Sequence, residues 1–131
     1  MTRRDYDASG GREIFLSFED PATDRLASLL RLRIPSQHRQ PIGGMAVLEG
    51  AALVRELHSY GQHLSLSERG EDAVQHRGFG SRLLAEAERV AREEFGLPRV
   101  AVIAGVGARE YYRRLGYALE DTYMVKTTGA A

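Results

Sequence analysis

A glycine-containing motif at residues 75–80 carries the first chemical signal in this sequence. The segment QHRGFG has the pattern Q-x-x-G-x-G and leads into a run whose apolar residues recur at three- and four-residue spacing, which predicts a helix over 75–95. The first turn of a helix leaves backbone N–H groups unpaired and carries the positive end of the helix dipole. Glycines at 78 and 80 lack the Cβ atoms that would keep an anion from those amides. The motif therefore predicts a pyrophosphate cradle at a helix N-terminus.

Two other phosphate-binding motifs are absent from the chain. A dinucleotide fingerprint needs G-x-G-x-x-G after a strand, and a P-loop needs G-x-x-x-x-G-K-[ST]. The alternative to a cradle is that Gly78 and Gly80 only shape a turn before an ordinary amphipathic helix. From the motif alone, both interpretations stay open.

Several titratable residues could take part in acid–base chemistry. Glu56 and His58 share one face of a predicted strand, where they could supply a general base or simply form a hydrogen-bonded pair. His76 lies inside the glycine motif, where it could contact phosphate or point to solvent. Tyr111 and Tyr112 are adjacent, so on a helix they point about 100° apart and at least one is expected to pack in the core.

Basic and imidazole side chains elsewhere give weaker signals. Arg31 and Arg33 share a strand face and could reach an RNA phosphate, although the zero net charge favours a solvated strand face instead. His38 and His63 have no carboxylates at a spacing typical of a metal site. No metal is predicted.

Composition limits the class of protein. The chain has 131 residues, 43% hydrophobic and 27% charged, which suits one globular domain over 1–131 with a core over 10–126. Eighteen basic and eighteen acidic residues give no net charge, so no bulk attraction to nucleic acid or membrane is implied. The absence of cysteine excludes disulfides and thiol chemistry. Without a signal peptide or a long apolar run, a cytoplasmic location is expected.

Patterning predicts an α+β domain with a mixed, mostly antiparallel sheet flanked by helices. Three alternating segments precede the helix, and the first two form a hairpin through residues 21–25. A β-branched run, a short helix ended by Gly116, and a terminal strand or pair of strands follow. Residues 1–11 are expected to be a frayed lead-in, and residues 35–44 and 61–74 are expected to be irregular. The predicted strands are residues 12–19, 26–34, 51–60, 99–104 and 117–126, and the predicted helices are residues 75–95 and 108–115.

The order of these elements, with the Q-x-x-G-x-G motif and a later Y-Y-x-x-L-G-Y segment, resembles the GNAT superfamily of acetyl-CoA-dependent acyltransferases. Within it, the chain is similar from about residue 6 to 126 to the C-terminal acetyltransferase domain of the Elongator catalytic subunit family, which modifies the wobble uridine of tRNA. The segments that carry this resemblance are GREIFLSFED, LLRLRIP, LVRELHSYG, QHRGFGSRLL, EAERVAREEFG, VAVIAGVGAREYYRRLGY and YMVK.

The resemblance implies acetyl-CoA as the cofactor and assigns residues to it. The strand before the motif would pair through its backbone with the pantetheine arm, the motif would hold the pyrophosphate, and Tyr112 would approach the thioester sulfur. A phenol with a pKa near ~10 stays protonated at neutral pH and can give a proton to a leaving thiolate. The implied contacts are Glu56, Leu57, His58 and Ser59 for the arm, and Gln75, Arg77, Gly78, Phe79, Gly80 and Ser81 for the pyrophosphate.

Two departures from the family pattern shape the expected function. The cysteine-bound radical S-adenosylmethionine domain of the family is missing, and the opening strand and helices usual in a GNAT fold are expected to be lacking. The first hypothesis is a domain that supplies the acetyl group for C5 carboxymethylation of uridine 34, with tRNA and a radical S-adenosylmethionine domain as partners and no membrane. The alternatives are a freestanding N-acetyltransferase acting on a lysine or small amine, and a non-catalytic module with an idle site.

Overall fold

Alternating and β-branched segments form a single mixed sheet in the computed structural model, which describes residues 1–8, 10–20, 25–35, 48–59 and 69–129. The described strands lie in the order β1-β2-β3-β4-β5-β7-β6, and β4 with β5 is the parallel pair among otherwise antiparallel neighbours. This arrangement confirms the predicted mostly antiparallel α+β sheet. The strands are β1 (Thr2–Ala8), β2 (Gly11–Asp20), β3 (Arg25–Ile34), β4 (Ala51–Ser59), β5 (Arg99–Ile103), β6 (Ala118–Glu120) and β7 (Tyr123–Thr127).

Two α-helices connect the strands that follow β4. Helix α1 (Arg69–Arg89) joins β4 to β5 and continues through a π-helical turn at Val90–Glu94. Gly96, with φ of +61°, ends that turn in the left-handed conformation that glycine adopts without steric cost. Helix α2 (Arg109–Arg114) follows a 3₁₀ turn at Val106–Ala108, and no helix precedes β4 among the described residues.

The core lies between the sheet and α1. The apolar face predicted for the helix is confirmed, because its central residues are at most 1% exposed and pack on β2 and β3. Strand β5 is buried on both faces, as its continuous β-branched sequence predicted, with Val100 and Val102 toward α1 and Ala101 toward a smaller second cluster. The buried helix residues are Leu83, Leu84, Ala87, Val90 and Ala91.

The first residues correct one expectation. Residues 1–11 do not form a frayed lead-in, because Thr2–Ala8 pairs residue by residue with β2. The guanidinium of Arg3 also bonds both oxygens of Glu94, at 2.7 and 2.8 Å, and so ties this edge strand to the far end of the helix. The segment is polar, which is why composition suggested an irregular start, whereas backbone pairing with the next strand, from Thr2 opposite Ser17 to Ala8 opposite Gly11, makes it a strand.

Parts of the predicted loops lie outside the described residues. These parts include His38, His63 and the hairpin turn at 21–24, and Tyr60, the predicted last residue of the third strand, also lies outside the described residues. The expected irregular segment 61–74 is wrong at its end, because helix α1 already begins at Arg69.

Candidate active site

Strand β4 has an open edge beyond the last residue that pairs with β5, and the space beside this edge is called the groove below. Their parallel pairing runs from Ala51 opposite Arg99 to Val54 opposite Val102, while β4 continues to Ser59. The edge of β4 that faces β5 therefore has no strand partner over residues 55–59 in the described part of the chain. Such an edge can accept an extended chain that carries amide groups, as in β-strand addition.

A β-bulge reshapes β4 at the point of divergence. Arg31 of β3 lies opposite Glu56, whereas the next residue, Leu32, lies opposite Val54, so Arg55 is the extra residue. A bulge bends its strand and is common beside active sites, where it re-aims side chains. Here the extra residue shifts the pairing with β3 by one residue, so that residues 56–59 of β4 have a different register from residues 53 and 54.

Three elements meet at the end of β4. A Cβ atom placed on Gly80 of α1 would lie 3.1 Å from the hydroxyl oxygen of Tyr111 in α2 and 3.6 Å from Oγ of Ser59. Ser59 is in turn held by Ser28, which is fully buried, with its Oγ 3.3 Å from Ser59 Oγ and donating to the His58 carbonyl oxygen at 3.0 Å. The approach is close enough that a larger residue than glycine at position 80 would displace its neighbours.

Tyr112 lies on the core side of α2. It is 6% exposed and its ring contacts those of Tyr111 and Tyr117 edge-on, at 5.2 and 5.9 Å between centroids. The end of α2 fixes this position: Tyr117 N donates to Tyr112 O and Gly116 N donates to Arg113 O, a Schellman motif with Gly116 at φ of +96°. Burial, with a smaller contribution from Tyr111, raises the pKa of Tyr112 to about 12.

Glu56 and His58 form a pair on the strand, as one of the two sequence interpretations proposed. His58 Nε2 lies 3.1 Å from one carboxylate oxygen of Glu56, and Arg31 Nη1 lies 3.4 Å from the other. A carboxylate that contacts a cationic or imidazole group at each oxygen is less available to accept a substrate proton. Arg31 also stacks over Phe15 at 5.3 Å, so it already has intramolecular partners.

The second arginine of that strand face is occupied as well. Arg33 Nη1 donates to the Ala8 carbonyl at 2.6 Å and lies 4.0 Å from Glu13. These contacts give both arginines structural roles within the sheet.

The glycine motif is arranged differently from the sequence prediction. Helix α1 begins at Arg69, so Gly78 and Gly80 lie in its third and fourth turns rather than at its N-terminus. Their N–H groups therefore have partners four residues earlier in the helix. The sequence suggested the later start because glycine disfavours a helix interior, whereas the structure continues the helix through the motif.

Side chains at the motif's end pack toward the sheet. Phe79 stacks on Phe18 at 4.6 Å, and the Arg82 guanidinium lies 4.6 Å from the Phe18 ring on the same surface. Ser81 Oγ donates to the Gly78 carbonyl at 3.0 Å. The side chains of Gln75, His76 and Arg77 lie outside the described residues.

Sequence reasoning missed Ser28 and did not place Tyr111 at this groove. Ser28 and Tyr111 converge with Ser59 only through strand pairing and helix packing, which no local pattern reports. Within the described ranges, no cluster of acidic residues and histidines could hold a metal ion, and no helix is long and apolar enough to cross a membrane.

Comparison with known proteins identifies the architecture. The model of the acetyltransferase (GNAT) family matches residues 71–117. The solved structure of an archaeal Elp3 from Methanocaldococcus infernus, lacking its first 46 residues, superposes with a TM-score of 0.74 and 42% identity over 96% of this chain and 29% of that one. This chain has the GNAT fold.

Two curated relatives resemble this chain over nearly its whole length. A tRNA uridine(34) acetyltransferase from Dehalococcoides mccartyi is 59% identical over 126 residues, and the human Elongator complex protein 3 is 52% identical over 128 residues. Each alignment covers 96% of this chain, but only 27% and 22% of the respective relative. The chain thus spans about a quarter of the length of the relatives it matches.

Proposed function

We propose that this chain is the acetyl-CoA-binding acetyltransferase domain of an Elongator-type enzyme that modifies uridine 34 of tRNA. It would supply the acetyl group for C5 carboxymethylation, together with a radical S-adenosylmethionine domain acting in cis or in trans in the cytoplasm. The observation that carries the proposal is the unpaired edge of β4 beside Gly80 and Tyr111, in a chain 59% identical to a tRNA uridine(34) acetyltransferase.

The residues of the groove fit the arm of acetyl-CoA. The pantetheine arm is an extended chain with two amide groups, and residues 56–59 of β4 offer backbone groups along an open edge. Glu56, Leu57, His58 and Ser59 are therefore proposed to line the arm. The narrow approach at Gly80, where a Cβ atom would fill the space, lies at the end of this edge.

The phosphate end requires a change in α1. Gln75, Arg77, Gly78, Phe79, Gly80 and Ser81 are proposed to hold the pyrophosphate, yet the backbone N–H groups at 78 and 80 lie within the helix. We infer that the turns before Gly78 unwind when the cofactor binds. Helix interiors lose about 1 kcal/mol for each glycine relative to alanine, and α1 carries three glycines in its first twelve residues, at 70, 78 and 80.

The proposed chemistry depends on a protonated phenol. Bound acetyl-CoA supplies an acetyl group activated as a thioester. A phenol is protonated at neutral pH, as a group that protonates a departing sulfur must be, and burial raises the pKa of Tyr112 further, to about 12. The Glu56–His58 pair is proposed to orient the strand edge rather than to act as a base. Both carboxylate oxygens of Glu56 already have partners, one in His58 and the other in Arg31.

Calorimetric titration of acetyl-CoA tests the proposal. We expect micromolar binding by the wild-type chain and loss of binding in Gly78→Glu, which places a negative charge at the phosphate. No atom lies within 4 Å of a Cβ at position 78, so the variant should fold. Ala85→Glu is the matched control, because it adds the same charge to an exposed position on nearly the same face of α1, two turns or ~10 Å further along.

Catalysis needs its own readout. Tyr112→Phe should bind acetyl-CoA normally and release less free thiol from it, measured in the presence of tRNA. A folded wild-type chain that binds no acetyl-CoA would reject the proposal. Ordinary turnover on a lysine peptide or a small amine would instead establish the N-acetyltransferase alternative.

A further inference from the structure

The hydroxyl of Tyr111 lies beside Gly80 and Ser59, at the end of the open edge of β4. Its oxygen would lie 3.1 Å from a Cβ at Gly80, and Ser59 Oγ lies within 4 Å of the same point. Tyr112, its neighbour in sequence, turns the other way and packs against Tyr117. The side chains of the two tyrosines thus lie on different sides of α2.

The two hydroxyl groups differ in how they are held. Ser59 Oγ lies 3.3 Å from Ser28 Oγ, whose own residue is fully buried, so its position is fixed from behind. Among the described residues, the Tyr111 hydroxyl forms no hydrogen bond, although its ring is held edge-on against Tyr112 at 5.2 Å and 78°. A fixed ring with an unused hydroxyl beside an open strand edge can bond a ligand at little entropic cost.

We propose that the Tyr111 hydroxyl binds an amide of the pantetheine arm of acetyl-CoA. We also propose that position 80 is glycine because a Cβ atom there would crowd this hydroxyl. The inference rests on the proposed function and adds a binding residue to it. A phenol can both donate and accept, so it suits an amide carbonyl or an amide N–H. Tyr111 keeps its donor at neutral pH, because burial raises the pKa of its phenol.

Removing the hydroxyl measures the contact. Tyr111→Phe should weaken acetyl-CoA binding about 3- to 10-fold, the range of one neutral hydrogen bond. It should leave the binding of 3′-phosphoadenosine 5′-diphosphate, the half of the cofactor without the arm, unchanged. Tyr6→Phe is the matched control, since Tyr6 is a half-exposed tyrosine on β1, the edge strand that lies three strands away from β4.

A double-mutant cycle tests the link to Gly80. In the wild-type background, Gly80→Ala should weaken acetyl-CoA binding, because the new methyl group must push the Tyr111 hydroxyl from its place. In the Tyr111→Phe background the same change should have no further effect on the dissociation constant. If Gly80 is required only for contact with phosphate, Gly80→Ala will cost the same in both backgrounds, and the inference is wrong.

The remaining outcomes separate this inference from the function beneath it. Unchanged acetyl-CoA binding by Tyr111→Phe overturns the role of Tyr111 and leaves the cofactor assignment standing. Equal weakening of both ligands overturns the assignment to the arm. A folded wild-type chain that binds neither ligand overturns the proposed function and this inference together.

Discussion

Two adjacent tyrosines show how much a single residue's environment decides. Tyr111 and Tyr112 have the same side chain and consecutive positions on α2, yet one is half-buried beside Gly80 and the other is 6% exposed in the core. The Schellman motif at Gly116 sets this difference, because it folds Tyr117 back onto Tyr112. The contact proposed for Tyr111 follows from that orientation, whereas the proton-donor role proposed for Tyr112 rests on the family resemblance.

The raised pKa of Tyr112 makes a prediction about stability at high pH. Its pKa is about 12 when folded against ~10 in an unfolded chain, so the unfolded state binds fewer protons between those values and stability falls as pH rises. The loss is up to about 1.4 kcal/mol per pH unit. We expect the urea midpoint of the wild type to fall more between pH 8 and pH 11 than that of Tyr112→Phe.

The comparison of the wild type with Tyr112→Phe separates the ionisation of Tyr112 from that of Tyr117. Burial and then the charge of Glu88 also raise the pKa of Tyr117, but Tyr117 is present in both proteins. Midpoints that fall in parallel would show that Tyr112 does not ionise with a raised pKa.

At the scale of elements, the first half of α1 is helical in the folded chain, whereas the proposed function requires part of it to unwind. Gly78 and Gly80 weaken this part of the helix, because glycine is unfavourable in a helix interior, yet the folded chain continues the helix through them. The cofactor proposal needs the N–H groups of the motif, which the helix occupies. The free energy needed to unwind those turns therefore lowers the affinity for acetyl-CoA.

A single methyl group tests this opening. Gly78→Ala should raise the free energy of unfolding by about 0.5–1 kcal/mol, because alanine favours the helix and its Cβ meets no atom within 4 Å. The same change should weaken acetyl-CoA binding several-fold, since the stabilised turns must still unwind. Urea denaturation and calorimetry on one preparation measure both effects.

The control runs in the opposite direction. Ala85→Gly, at an exposed position of the same helix, should lower stability by about 1 kcal/mol without changing affinity. A Gly78→Ala protein that is more stable and binds acetyl-CoA as tightly as the wild type would contradict the unwinding.

At the scale of the whole molecule, one carboxylate joins α1 to the end of the chain. Glu88 accepts from the Tyr117 hydroxyl at 2.7 Å and from Lys126 Nζ at 3.2 Å, and Lys126 also donates to the Leu115 carbonyl at 2.9 Å. The segment after α2 and strand β7 are thereby fastened to the helix that covers the sheet.

Removing this carboxylate should destabilise the fold. Glu88→Ala leaves the buried Tyr117 hydroxyl without an acceptor and the Lys126 ammonium with only the Leu115 carbonyl, at a cost of about 2–3 kcal/mol in the free energy of unfolding. Glu88→Gln keeps an acceptor for Tyr117 and should cost about 1 kcal/mol. Chemical denaturation measures both values, and equal losses in the two variants would mean that the charge, and not the hydrogen bond, holds the segments together.

The sequence by itself determined the parts of this protein that depend on local periodicity. The alternating segments, the apolar face of α1, the buried β5 run and the glycine stops at 96 and 116 all follow from side-chain spacing and backbone preference. The GNAT architecture was predicted from the resemblance to that superfamily and is confirmed. The cofactor residues named from the motif and the strand remain predictions.

Only the tertiary structure decided which groups meet. Strand β1 depends on pairing with β2, and the start of α1 at Arg69 overrides the helix-breaking preference of its glycines. The groove depends on where β5 ends relative to β4, and the separate directions of Tyr111 and Tyr112 depend on α2 packing against α1. Apart from the pairing of β1 with the next strand, these contacts join residues distant in sequence, and their energies come from packing and backbone pairing that no short segment of sequence contains.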